Sequence, residues 1–251
     1  MSGAPAQPGA GRVIFALDVA DRTRALEWVD RLAGEVGAFK VGLELFVSEG
    51  PGLVRELVAR GERVFLDLKL HDIPATLAGA ARAAGRLGAW LVNVHALAGP
   101  EGMARAAEAA RQGAREAGFE IPRVLAVTVL TSHSERTLQA IGLAGPAECA
   151  VGRLAELARA AGLDGVVASP REAEAVRAGW PEALIVTPGV RPAGAAAGDQ
   201  VRVTTPAAAV RAGADYLVVG RPIRDAADPE GAARTLAAEV EEALGRGASS
   251  A

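Results

Sequence analysis

The chain has 251 residues, half of them hydrophobic, a size and composition that suit one large α/β domain or two small ones with a sizeable core. A formal net charge of -3 leaves no basic footprint for nucleic acid, and the one cysteine, Cys149, excludes an internal disulfide, as befits a reducing cytoplasm. No apolar stretch reaches membrane-spanning length, so a soluble protein is expected.

Met1 to Gly11 is rich in Ala, Pro and Gly and lacks the apolar core of a signal peptide, so it reads as a disordered tail. From there, apolar β-rich runs alternate with helical patterns. Val13 to Leu17 is the first strand, closed by Asp18, and Arg22 to Ala33 the first helix. Ala38 to Leu43 carries Lys40 and precedes a helix over Gly52 to Arg60. Arg63 to Lys69 leads into a helix from Ala75 to Leu87, and Trp90 to Val94, ended by His95, into one across Gly102 to Ala117. Val124 to Leu130 ends at Thr131 and precedes a helix over Glu148 to Ala161. Gly165 to Ala168, then Ser169, precedes a short helix across Arg171 to Arg177. Leu184 to Thr187 is followed by a helix over Pro206 to Ala212, and Tyr216 to Val219 by the closing helix, Glu230 to Leu244.

Near-continuous apolar strands belong to parallel sheets covered on both faces. Eight strand-helix units in about 240 residues fit a single-domain (β/α)₈ TIM barrel over residues 12–246, with 247–251 as a C-terminal tail. A doubly wound open sheet would carry a Gly-rich nucleotide fingerprint after its first strand, and none is present.

Barrel enzymes hold their sites at the C-terminal strand ends. Those positions read Asp18, Lys40, Asp67 with Lys69, His95, Thr131, Ser169, Pro188 to Arg191, and Gly220-Arg221. Nearly all can titrate, donate or accept, which favours a site over scattered surface polarity. Asp67 and Lys69 share a strand face by the period-two rule, and such a pair is costly unless it is matched or does chemistry. A structural ion pair followed by a helix cap is the alternative for Asp67 to Pro74. Lys40 and Lys69 are the chain's two lysines, where Arg supplies every other surface cation. Arg cannot be deprotonated in proteins, so a retained Lys suits proton exchange or tight geometry.

Gly220 permits close backbone approach and the Arg191 and Arg221 forks match phosphate oxygens, after the two strands whose loops usually seat phosphate in this fold. The Arg191 to Val203 loop, with Gly194, Gly198 and Gln200, is either a lid or an ordinary connection. His71, His95 and His133 lack metal-ligand spacing, so no metal is expected; His95 reads as a structural hydrogen-bonding residue, and His71 as facing away from Lys69 and Asp72.

Together, Phe15-Ala16-Leu17-Asp18, Phe39-Lys40-Val41-Gly42, Asp67-x-Lys69-x-x-Asp72-Ile73-Pro74-x-Thr76, Val129-Leu130-Thr131-Ser132, Pro188-Gly189-Val190-Arg191-Pro192, Asp199-Gln200 and Val219-Gly220-Arg221-Pro222 resemble the orotidine 5′-phosphate decarboxylase family along nearly the whole chain. Leu70 stands where that family often has Phe, and Ala75 where Asn is frequent. The resemblance implies loss of carbon dioxide from orotidine 5′-phosphate to give uridine 5′-phosphate, the last step of pyrimidine nucleotide synthesis, without metal or organic cofactor. It implies Lys69 as proton donor in a Lys40-Asp67-Lys69-Asp72 charge network. It further implies Asp18 and Lys40 on the ribose, Thr131, with Ser132 beside it, on the pyrimidine, and Arg191, Gln200, Gly220 and Arg221 on the phosphate. A homodimer is implied, with Asp72 and Thr76 entering from the partner subunit. Two rivals are a magnesium-dependent keto-gulonate-phosphate decarboxylase relative, which places a carboxylate where Lys40 stands, and a non-catalytic barrel that senses a nucleotide phosphate.

Overall fold

The alternation of apolar strands and helices closes into an eight-stranded parallel barrel in a computed structural model, which describes residues 8–143, 145–191 and 204–248. In chain order the elements are β1 (Val13–Ala16), α1 (Arg22–Leu32), β2 (Ala38–Gly42), α2 (Leu43–Glu49), α3 (Pro51–Ala59), β3 (Val64–Leu70), α4 (Pro74–Gly85) and β4 (Leu91–His95). There follow α5 (Gly99–Ala117), β5 (Arg123–Val127), α6 (Glu135–Ala140), α7 (Ala147–Ala160), β6 (Gly165–Val167) and α8 (Pro170–Gly179). The last are β7 (Leu184–Pro188), α9 (Pro206–Arg211), β8 (Tyr216–Val219), α10 (Arg221–Arg224) and α11 (Pro229–Ala248). Strand β8 pairs back onto β1 in the register Val13–Leu217, Ile14–Val218 and Phe15–Val219, so the sheet has no free edge. No described helix is long and apolar enough to cross a membrane.

Period-two alternation sorts every strand into two sets. Phe15, Phe39, Val41, Val64, Leu66, Val92, Val94 and Val124 point outward into the layer between sheet and helices. Ile14, Ala16, Ala38, Phe65, Leu91, Leu125, Val127, Val167, Val186 and Val218 fill the barrel interior. Continuing the inner set toward the C-terminal ends gives Lys40 after Ala38, Asp67 after Phe65, and Asn93 after Leu91. The rule that buries the core therefore carries three polar side chains inside the barrel near one mouth. At the opposite mouth, the Arg63 guanidinium lies 4.2 Å over the Trp90 ring, and Trp90 meets Tyr216 edge-on at 4.9 Å. These cation–π and edge-on ring contacts help to stabilise that end of the barrel.

Four local departures from the sequence expectations have physical causes. Leu43–Glu49 forms α2, because the glycines at 42 and 50 bracket seven residues, about two turns, that include the good helix formers Leu43, Glu44, Leu45 and Glu49. Ser134 and Gly220 likewise open two short helices, α6 and α10, inside segments expected as loops. Strand β5 stops at Val127, so Thr131 lies in the following loop rather than at the strand end. Gly9 to Gly11, read as tail on composition, belong to the packed body. Ala10 is buried in a 3₁₀ turn, and a Cβ on Gly9 would overlap the Ala237 carbonyl of α11.

Candidate active site

A cavity of about 480 Å³ opens at the C-terminal mouth of the barrel. Its floor is apolar, built from Ala16, Phe65, Val127, Val167 and Val218, and its rim is charged. Asp18, Lys40, Asp67, Lys69, Thr131, Ser132, Arg191, Gly220 and Arg221 all line it. One site thus gathers most of the residues singled out from the sequence.

On one side the charges alternate. Lys40 Nζ lies 3.1 Å from Asp18 Oδ1 and 3.6 Å from Asp67 Oδ2, and Lys69 Nζ lies 2.7 Å from Asp67 Oδ1. Lys40 and Asp67 are buried, Lys69 is half-buried, and Asp18 faces the opening. Burial alone would push the Asp67 carboxyl up. The Lys40 and Lys69 ammoniums, with hydrogen bonds from Lys69 and Asn93, reverse this and hold it below the ordinary carboxylate value. Asp67 is therefore an anion clamped between two cations, and removing one partner from such a buried group costs about 3–5 kcal/mol.

The strand carrying this acid is irregular. Leu66 pairs with Val92, but the next match is Leu70 with Val94, so four residue steps of β3 run against two of β4. Lys69 lies inside that bulge with φ 49°, alone among non-glycine described residues in having positive φ. Asn93 fills the gap: its Nδ2 donates to Asp67 Oδ1 at 2.7 Å, and its Oδ1 accepts from the Lys69 backbone N–H at 2.8 Å.

The opposite side is built for an anion. Gly189 takes φ 83°, a conformation that glycine adopts without strain, and turns the chain so that Pro188 to Arg191 face the cavity. Arg191 is buried, and its backbone N–H donates to the Thr204 carbonyl at 3.0 Å, which holds these two residues side by side. At Gly220 an added Cβ would meet only ordinary contacts, 3.4 Å from Asp18 Oδ2 and 3.5 Å from Ala16 Cβ. The space left by its missing side chain therefore serves whatever occupies the cavity.

Two expected residues stand apart. Asp72 and Thr76 are exposed and do not line the cavity. Asp72 forms no ion pair with Lys69 among the described residues; its Oδ1 accepts from the Ile73 N–H at 2.6 Å. It does not cap α4 either, whose N-cap is Ile73, with Pro74 opening the first turn. Gln200, together with Gly194, Gly198 and Asp199, lies outside the described residues. His71 stacks on His95 at 5.2 Å, and His95 Nδ1 accepts from the Leu97 N–H at 3.3 Å, the structural role expected of it. Among the described residues, no three His, Cys, Asp or Glu side chains converge as a metal seat.

Sequence reasoning missed Asn93 and Arg224. Asn93 had a signal, a lone amide in the apolar run Leu91 to Val94. Arg224 lines the cavity and donates from Nη1 to the Asp18 carbonyl at 3.0 Å while its guanidinium pairs with Asp225. Nothing in its spacing distinguished it from the many surface arginines.

This arrangement has counterparts. Residues 11–236 match the model of the "Orotidine 5′-phosphate decarboxylase / HUMPS family". The chain belongs to that family. Its relatives include an orotidine 5′-phosphate decarboxylase of Alkalilimnicola ehrlichii, 58% identical over 91% of this chain and 96% of the relative. Another is that of Trichlorobacter lovleyi, 55% identical over 91% of this chain and 95% of the relative. Among solved structures, the orotidine 5′-phosphate decarboxylase of Lactobacillus acidophilus superposes with a TM-score of 0.81 at 35% identity, covering 91% of this chain and 98% of that one. Family membership and barrel architecture therefore agree with the cavity's construction from barrel strand ends.

Proposed function

We propose that the protein decarboxylates orotidine 5′-phosphate to uridine 5′-phosphate in this cavity, without metal or organic cofactor. The observation that carries the reading is the Lys69 ammonium, held 2.7 Å from a buried carboxylate beside an apolar floor, in one cavity with Arg191 and Arg221.

Cleavage of the bond from ring carbon to carboxylate leaves its electron pair on the pyrimidine, with no conjugated sink. The site must meet that charge with a fixed cation and supply a proton. Lys69 does both: its ammonium attracts the developing carbanion and then protonates the same carbon. Asp67 and Lys40 hold the ammonium in register. Asp18 and Lys40 take the ribose hydroxyls, Thr131, with Ser132 adjacent, takes the pyrimidine, and Arg191, Gly220 and Arg221 take the phosphate, joined by Gln200. Binding energy at the remote phosphate serves to order the charges around the reacting carbon.

The reading includes a homodimer in which Asp72 and Thr76 reach the partner's cavity. Its support is a set of exposed apolar side chains, Leu43, Val47, Ile73 and Leu97, on three successive βα connections after β2, β3 and β4. Asp72, which forms no ion pair among the described residues, directly precedes Ile73 in the chain. Pyrimidine synthesis places such an enzyme in the cytoplasm.

The test is direct. Chelator-treated protein given orotidine 5′-phosphate releases carbon dioxide and uridine 5′-phosphate at an undiminished rate. Activity restored only by magnesium assigns the protein to metal-dependent chemistry instead, and absence of turnover assigns it to ligand sensing.

A further inference from the structure

We propose that Asn93 is a positioning residue whose side-chain amide holds the β3 bulge open so that Lys69 presents its ammonium to the cavity. The inference rests on the reading of Lys69 as proton donor. Asn93 itself is 1% exposed and does not line the cavity, so it acts through Asp67 and Lys69 rather than on substrate.

Three observations converge on it. The β3–β4 ladder breaks between Leu66 and Leu70, opposite Asn93. Lys69 takes a left-handed φ that a side chain bearing Cβ disfavours, and such a conformation persists only where its surroundings over-determine it. The Lys69 N–H, displaced from the ladder by the bulge, finds the Asn93 Oδ1 instead, while Nδ2 of the same amide donates to Asp67 Oδ1. The partners also fix the amide's orientation, since a carboxylate only accepts and a backbone N–H only donates.

The chemistry of the position is narrow. It needs one donor and one acceptor on a planar group of this length, inside the barrel, between an anion and an N–H. Leu would keep the branched outline but leave the N–H unpaired and Asp67 short of a donor. Asp would keep the acceptor and set a second anion against Asp67. Asn meets both requirements, which gives the polar interruption of an otherwise apolar strand its physical reason.

The experiment compares Asn93→Leu and Asn93→Asp with the parent and with Lys69→Ala. In Asn93→Leu, kcat falls about 100-fold, the scale of a misplaced reacting group, while uridine 5′-phosphate binds with unchanged stoichiometry and affinity. The acid limb of the kcat–pH profile moves to higher pH, because Asp67 has lost a donor to its charged form. In Asn93→Asp the limb moves further, because a like charge is added to the lost donor. A purely structural Asn93 lowers the binding stoichiometry in step with kcat and leaves the limb in place, which overturns the inference. Unchanged kcat and limb in Asn93→Leu, with Lys69→Ala inactive, also overturn it while leaving the Lys69 reading intact. Near-parental turnover in Lys69→Ala removes the foundation instead. Should Asn93→Leu fail to fold, the isosteric Asn93→Asp decides: an unshifted limb there sinks the proposal.

Discussion

Lys69 Nζ and Asp67 Oδ1 lie 2.7 Å apart, although a regular strand alone does not set that distance. Side chains two apart on a strand share a face but project in parallel. Here the bulge at Lys69 turns its side chain back onto the acid. The pair is the product of a backbone irregularity as much as of the DxK spacing.

Lys69→Ala therefore separates binding from chemistry. The arginine end of the cavity is untouched, so uridine 5′-phosphate still binds, and calorimetry or fluorescence titration measures it. Turnover, lacking both proton donor and fixed cation, falls at least ~1000-fold. A loss of only a few fold would show that another group protonates the ring carbon.

How much of this was legible beforehand varies with the physics involved. Alternation placed Asp67 and Lys69 on one face, because a two-residue period needs no tertiary knowledge. Eight apolar runs at even spacing gave the barrel for the same reason. The bulge was not legible: nothing in Leu66 to Leu70 declares that two residues lack partners on β4, since register depends on the neighbouring strand. Asn93 was passed over on that account, its meaning residing in two groups more than twenty residues away. Asp72 forms no ion pair among the described residues, and only a resemblance supplied the partner subunit. Thr131 reached the cavity from a loop because the β5–β6 ladder ends early, a boundary that the β-prone run Val127 to Leu130 conceals.

Arg221→Ala tests the opposite end of the cavity. A charge-assisted hydrogen bond to phosphate contributes about 1.5–3 kcal/mol, so kcat/KM falls about 10- to 150-fold. Added guanidinium ion restores part of the loss by filling the vacated position. The same substitution leaves turnover of a substrate lacking the phosphate unchanged. If that truncated substrate suffers equally, Arg221 does not serve the phosphate.

His95 gives the fold a pH dependence of defined sign. Burial, chiefly, with the charges of His71, His133 and Lys69, lowers its pKa from 6.5 to about 4. Between these values the unfolded chain takes up a proton that the native imidazole refuses, so stability declines as pH falls from 6.5 to 4 and this contribution levels off below. Protonation would also occupy Nδ1, which accepts the Leu97 N–H at the start of the 3₁₀ turn Ala96–Ala98. His95→Gln removes the titration, and urea unfolding across this range shows a shallower slope than the parent. Identical slopes in both proteins would mean that His95 is protonated as readily in the fold as outside it.

The proposal that two subunits share their active sites makes a sharper demand, which mixing experiments meet. Lys69→Ala and Asp72→Ala homodimers are each inactive if Asp72 completes the partner's charge network. Unfolded together and refolded, they yield hybrids in which one cavity lacks both residues and the other has both. With random pairing, half the dimers are hybrid and each carries one intact site, so activity recovers to about one quarter of the parent's. Exposed Ile73, next to Asp72, is expected to lie in the same interface. Ile73→Glu, which sets a charge into that contact, lowers the dimer fraction in analytical ultracentrifugation and lowers activity with it. Full activity in a monomeric Ile73→Glu protein, or no recovery on mixing, would confine each site to one chain and leave Asp72 without a catalytic role.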